Sequence, residues 1–97
     1  MTGPVAMEME VLLRAALAPV HMELFNDSAK HRGHMGDDGS GESHFTLIIE
    51  AADFVGKSRV ARQRAIYAAL GDMMAEKVHA LTIRAFAPGE RQGERPE

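Results

Sequence analysis

Residues 42–51, ESHFTLIIEA, decide the fold. Phe45, Leu47 and Ile49 fall on one side of an extended chain and His44, Thr46 and Ile48 on the other, the two-residue period of a half-buried strand. Just upstream, residues 26–41 form the longest polar stretch, with Gly33, Gly36, Gly39 and Gly41 among Asp27, Ser28, Asp37, Asp38 and Ser40. Connections of that length are usually functional or mobile. Residues 20–25 alternate again, Val20, Met22 and Leu24 against His21, Glu23 and Phe25, so the two strands are a candidate hairpin with an oversized loop.

Further out, Val5, Met9, Leu12, Leu13, Ala16 and Leu17 recur at spacings of three and four, predicting an amphipathic helix over 5–18 that Pro19 stops. Residues 53–56 read as a turn, and Ser58 is placed to cap a helical region running to Lys77. A third strand is expected over 78–86, with Leu81 and Ile83 on one face. Residues 1–87 therefore read as one domain, and 88–97 as a charged, frayed tail. The order is helix, strand, strand, helical region, strand, which at this length implies a small α+β core. Met7, Met9, Met22, Met73 and Met74 are expected to fill gaps in it.

Composition narrows the function. The chain has 97 residues, 45% hydrophobic and 26% charged, ordinary for a single globular domain. Without cysteine it has no disulfide framework, no thiol nucleophile and no cysteine-ligated metal site of its own. A net charge of −3 argues against retention on nucleic acid by overall charge. No apolar run reaches membrane-spanning length and no secretory signal is visible, so no membrane association and a cytoplasmic location are expected. P-loop, nucleophile-elbow and His-Glu-x-x-His patterns are missing, so a non-catalytic role is expected.

Five histidines are the compositional oddity. His31 and His34 lie three apart in the polar loop, near Asp37 and Asp38; imidazole and carboxylate suit transition metals, yet solvated loop histidines are the plainer reading. His79 opens the third strand in phase with Leu81 and Ile83. It is either a buried, hydrogen-bonded structural residue or a ring emerging at the sheet edge toward a partner or metal. His44 has the same two readings, and His21 is a solvent-face strand residue. Lys57, Arg59, Arg62 and Arg64 form a basic stretch suited to phosphate, or simply a solvated helix face.

An ordered set of segments resembles the BolA family. Asn26-Asp27-Ser28 precedes His31, and Gly41-Glu42-Ser43-His44-Phe45 enters the second strand. Phe54-Val55-Gly56-Lys57-Ser58 follows, then Arg62-Gln63-Arg64 before Ile66-Tyr67, and Val78-His79-Ala80-Leu81 enters the third strand. The resemblance covers about residues 5–87 and implies a class II KH-like αββααβ fold, a three-stranded mixed sheet with helices on one face. It would break the region 58–77 into a short helix and a longer one.

The resemblance further implies heterodimers with monothiol glutaredoxins that hold a shared [2Fe-2S] cluster. The glutaredoxin cysteine and a glutathione would supply sulfur, and this chain histidine. The family's third-strand ligand falls on His79 and its loop ligand on His31, with His34 as the alternative; the isolated chain would hold no cofactor. Histidine replaces thiolate on one iron of Rieske centres, so such a ligand set has a chemical precedent. Where family members often have Arg-His-Arg, this chain has Arg62-Gln63-Arg64, and glutamine neither titrates nor ligates as imidazole. Two functions are expected from this: an adaptor or regulator in iron–sulfur trafficking or, alternatively, a DNA- or RNA-binding transcriptional regulator using Lys57, Arg59, Arg62 and Arg64. A homodimer is also compatible.

Overall fold

The computed structural model describes residues 3–27 and 44–93. Helix α1 (Pro4–Leu17) leads into strand β1 (His21–Asn26); strand β2 (His44–Glu50) is followed by a 3₁₀ turn (Ala52–Phe54) and helices α2 (Arg59–Leu70) and α3 (Met73–Glu76). Strand β3 (Ala80–Phe86) and a second 3₁₀ turn (Glu90–Gly93) complete the described elements. The sheet order is β1-β2-β3, antiparallel between β1 and β2 and parallel between β2 and β3. The expected three-stranded mixed sheet with helices is therefore the fold, and it is α+β.

The alternation in residues 42–51 has the predicted consequence. Phe45, Leu47 and Ile49 are buried against Met9 and Leu13 of α1, Ile66 and Leu70 of α2, and Phe54. Met22 and Leu24 of β1, with Leu81, Ile83 and Ala85 of β3, pack partly buried around them. Of Met7, Met9, Met22, Met73 and Met74, four join this core or pack against it, but Met7 stands 56% exposed, on the solvent face of α1.

Local chemistry sets the boundaries. Proline at the first turn starts α1, and Ala18 ends it in the left-handed region at φ 45°, its N–H bonded to Arg14 O. Ser58 caps α2 as predicted, its hydroxyl oxygen accepting from Ala61 N–H at 3.1 Å. The helical region does split, but with the longer helix first. Gly71 takes φ +56°, a conformation that glycine adopts without penalty, and ends α2 with its N–H on Tyr67 O.

The segment after Ala87, expected to fray, is held at its start. Glu90 pairs with Arg62 and accepts from Ala87 N–H, while Gly89 N–H donates to Glu50 at 3.1 Å. Arg91 lies 3.6 Å from the same Glu50 carboxylate.

Candidate functional site: a histidine corner and a basic groove

Parallel pairing of β2 with β3 puts the starts of both strands at one end of the sheet. His44 is opposite Ala80 in the register, so His79 stands immediately beside it. The two rings are 6.1 Å apart between centroids and tilted by 48°. Their environments differ: His44 is 8% exposed, whereas His79 lies on the surface. Because β3 begins only at Ala80, His79 escapes the face it would share with Leu81 and Ile83, and the buried structural reading of this residue does not hold.

The end of β1 reaches the same corner. Asp27 N–H donates to His44 O at 2.7 Å, and the Thr46 hydroxyl donates to the Asp27 carboxylate. These bonds clasp the two ends of the segment that carries His31 and His34. Both of those histidines lie outside the described residues. Among the described residues, no group of three or more histidine, aspartate or glutamate side chains is placed to hold a metal ion. The corner offers imidazole nitrogen from His44 and His79 and no sulfur.

On the helical side, a groove of about 320 Å³ runs between α2 and β3. Ile83, Ala85 and Phe86 line it from the strand, Lys57, Arg59, Arg62 and Gln63 from the helix and its approach, and Glu90 from the turn after β3. The four basic residues are not equivalent. Arg59 and Arg64 are exposed, and Lys57 is exposed with its Nζ donating to Asp53 O at 2.7 Å. Arg62 is committed to the fold: Nε donates to Lys57 O at 2.9 Å and Nη1 to Ala85 O at 3.1 Å. Its guanidinium grips Glu90 through two contacts of 2.7 and 3.2 Å and lies 6.0 Å from the centre of the Phe54 ring. The Arg62 bond and the Ala87 N–H hold the Glu90 carboxyl at about 2, well below its ordinary 4.5, and the same pairing raises Arg62.

The family model for BolA-like proteins matches residues 13–90. The chain belongs to the BolA-like family. BolA-like protein 1 of Pongo abelii is 40% identical over 88 residues, covering 91% of this chain and 61% of its own, so this chain spans about three-fifths of that relative. A protein of Escherichia coli named DNA-binding transcriptional regulator BolA is 33% identical over 84 residues, 87% of this chain and 76% of its own. Among solved structures, the BolA domain of SufE1 from Arabidopsis thaliana superposes with a TM-score of 0.82 at 38% identity, covering 93% of this chain and 99% of that one. No helix among the described residues is long and apolar enough to cross a membrane.

In this BolA-like chain the structure brings His79 to an exposed position at the end of the sheet where the segment carrying His31 and His34 is anchored. It separates the four basic residues into Lys57, Arg59 and Arg64, which are open to solvent, and Arg62, which is not. That corrects the expectation that Arg62 presents a free fork to phosphate: Glu90 already occupies it. One participant was not singled out from the sequence: Glu90 reaches Arg62 only because the chain turns back after Ala87. His44 was given two readings there, and its place beside His79 comes only through the β2–β3 register.

Proposed function

We propose that this BolA-like protein is a non-catalytic adaptor in iron–sulfur cluster trafficking that pairs with a monothiol glutaredoxin. His79 and one loop histidine, His31 or His34, serve as nitrogen ligands to a shared [2Fe-2S] cluster whose thiolates come from the glutaredoxin and glutathione. The observation that supports this is the exposed ring of His79 at the corner where the His31 and His34 segment is clasped. A chain with no cysteine can take part in such a site only by completing one that another molecule begins. His79 immediately precedes a paired strand, whose scaffold presents it.

The test is a titration into a glutathione-loaded, cluster-bearing monothiol glutaredoxin, followed by visible absorption and circular dichroism. A heteromeric spectrum lost in His79→Ala and in one of His31→Ala and His34→Ala supports the reading. Failure of the folded proteins to form a complex or change the spectrum overturns it. The alternative, a nucleic-acid-binding regulator, draws on the name of the Escherichia coli relative and on the open cations Lys57, Arg59 and Arg64. Salt-sensitive retention of DNA that Arg59→Ala weakens, with His79→Ala unchanged, would favour it.

A further inference from the structure

Strand β3 is an edge strand, with β2 on one side and no strand on the other among the described residues. Phe86 O accepts from Ala51 N–H, so the main-chain groups of Phe86 face β2. By the two-residue period those of Thr82 and Arg84 face β2 as well, and those of Leu81, Ile83, Ala85 and Ala87 point away from the sheet.

At the far end of this edge the outward groups are already met. Arg62 Nη1 donates to Ala85 O at 3.1 Å and Glu90 Oε1 accepts from Ala87 N–H at 2.8 Å, while the two side chains pair at 2.7 Å. A residue of a parallel strand lying opposite Phe86 would make the same two bonds, giving its N–H to residue 85 and taking one from residue 87. The ion pair thus stands in for one residue of a fourth, parallel strand. Nearer the start of β3, no such stand-in covers Leu81 O, Ile83 N–H and O or Ala85 N–H among the described residues.

Proteins normally blunt such an edge with proline, lysine, a bulge or an inward charge. Residues 80–86, ALTIRAF, contain no proline, glycine or lysine, and the register with β2 runs unbroken from His44–Ala80 to Glu50–Phe86. Beside the edge lies the α2–β3 groove, its apolar floor of Ile83, Ala85 and Phe86 overlooked by the exposed Lys57 and Arg59; the Glu90 carboxylate also lines it, but its charge is matched by Arg62. A strand added to β3 directs alternate side chains over that groove, where acidic groups meet the two cations.

We propose that the open edge of β3, from Leu81 to Ala85, takes an extended acidic segment of a partner protein as a fourth, parallel strand. The parallel direction follows from Ala85: an antiparallel neighbour opposite it needs the carbonyl that Arg62 holds. A peptide is favoured over nucleic acid because only a peptide backbone complements alternating N–H and C=O groups. The surface is separate from the histidine corner, so its failure and that of the cluster reading are distinguishable.

The probe is an end-blocked heptapeptide alternating glutamate and valine, added to the full ¹⁵N-labelled chain while amide hydrogen exchange is followed. The expected result is saturable binding that slows exchange at Ile83 and Ala85, the two amides a parallel strand engages in this stretch, by at least about tenfold. The lysine–valine analogue and the alternately N-methylated peptide should give no protection. Lys57→Glu with Arg59→Glu should weaken binding roughly tenfold with an unchanged melting temperature. No binding by about 1 mM, or equal protection by the lysine or N-methylated peptide, overturns the proposal. Protection at Leu81 and Ile83 but not Ala85 overturns it by showing antiparallel addition. Oligothymidylate occupying the groove where the peptide does not would also overturn it and assign the surface to nucleic acid.

Discussion

Replacing Arg62 by alanine should destabilise the fold rather than simply remove a surface cation. The guanidinium makes two hydrogen bonds to main-chain carbonyls, Lys57 O and Ala85 O, and its side chain is only 13% exposed. Such bonds contribute about 1 kcal/mol each at the conservative end for a charged donor, so their loss removes about 2 kcal/mol, before counting the Glu90 pair or the Phe54 ring. For a domain of this size that lowers the melting temperature by about 8–16 °C. Arg59→Ala and Arg64→Ala, which remove exposed side chains, should stay within about 0.5 kcal/mol of the parent. Arg62→Lys should recover little, because one ammonium cannot serve two carbonyls and a carboxylate in the geometry of a planar fork. The assay is thermal and urea unfolding of the four variants side by side. An Arg62→Ala protein as stable as Arg59→Ala would refute the reasoning and return Arg62 to the pool of free cations.

Acid should weaken the same clamp. Glu90 is lowered from 4.5 to about 2, so its stabilisation is fully present above about pH 4.5 and lost as the pH falls toward 2. Urea midpoints measured over that window should fall more steeply for the parent than for Glu90→Gln, and parallel profiles would contradict the assignment. Leu47→Ala, at a fully buried position in the central strand, should cost about 2–5 kcal/mol by urea unfolding, among the largest single losses in the molecule. Ala18→Gly should stabilise by several tenths of a kcal/mol, because Ala18 sits at φ 45° where glycine carries no Cβ penalty; a lower melting temperature would count against that backbone conformation.

The elements legible in the sequence were those written in local periodicity. The alternation of residues 42–51 marked Phe45, Leu47 and Ile49 as core, and Ser58 before a helical run announced a cap. What local pattern missed came from distant residues or from single boundaries. Strand β3 starts at Ala80 rather than at 78, which leaves His79 ahead of the strand and on the surface. Arg62 and Glu90 are 28 residues apart, and nothing in either neighbourhood foretells their pairing, so the basic stretch read as four equal cations and the segment after Ala87 as loose. The helical region was expected to break with the short helix first; the break falls instead at Gly71, the only glycine between Ser58 and Lys77, which leaves the longer helix ahead of it.

Topology explains why His44 and His79 meet at one end of so small a sheet. An antiparallel β1–β2 connection returns to the end it leaves, so Asp27 and His44 meet and clasp residues 28–43 between them. A parallel β2–β3 connection instead carries the chain back across the sheet through α2 and α3, so β3 starts where β2 starts and brings His79 to His44. The first arrangement brings Asp27 to His44, and the second sets His79 beside them. The same parallel crossover leaves β3 at the edge with α2 alongside, which creates the groove and lets Arg62 and Glu90 reach the end of the strand. Histidine corner and open edge are thus two consequences of one connection, and they lie at different parts of the same strand. A partner that engaged both would be held by backbone pairing along β3 while its own ligands met His79 at the strand's start.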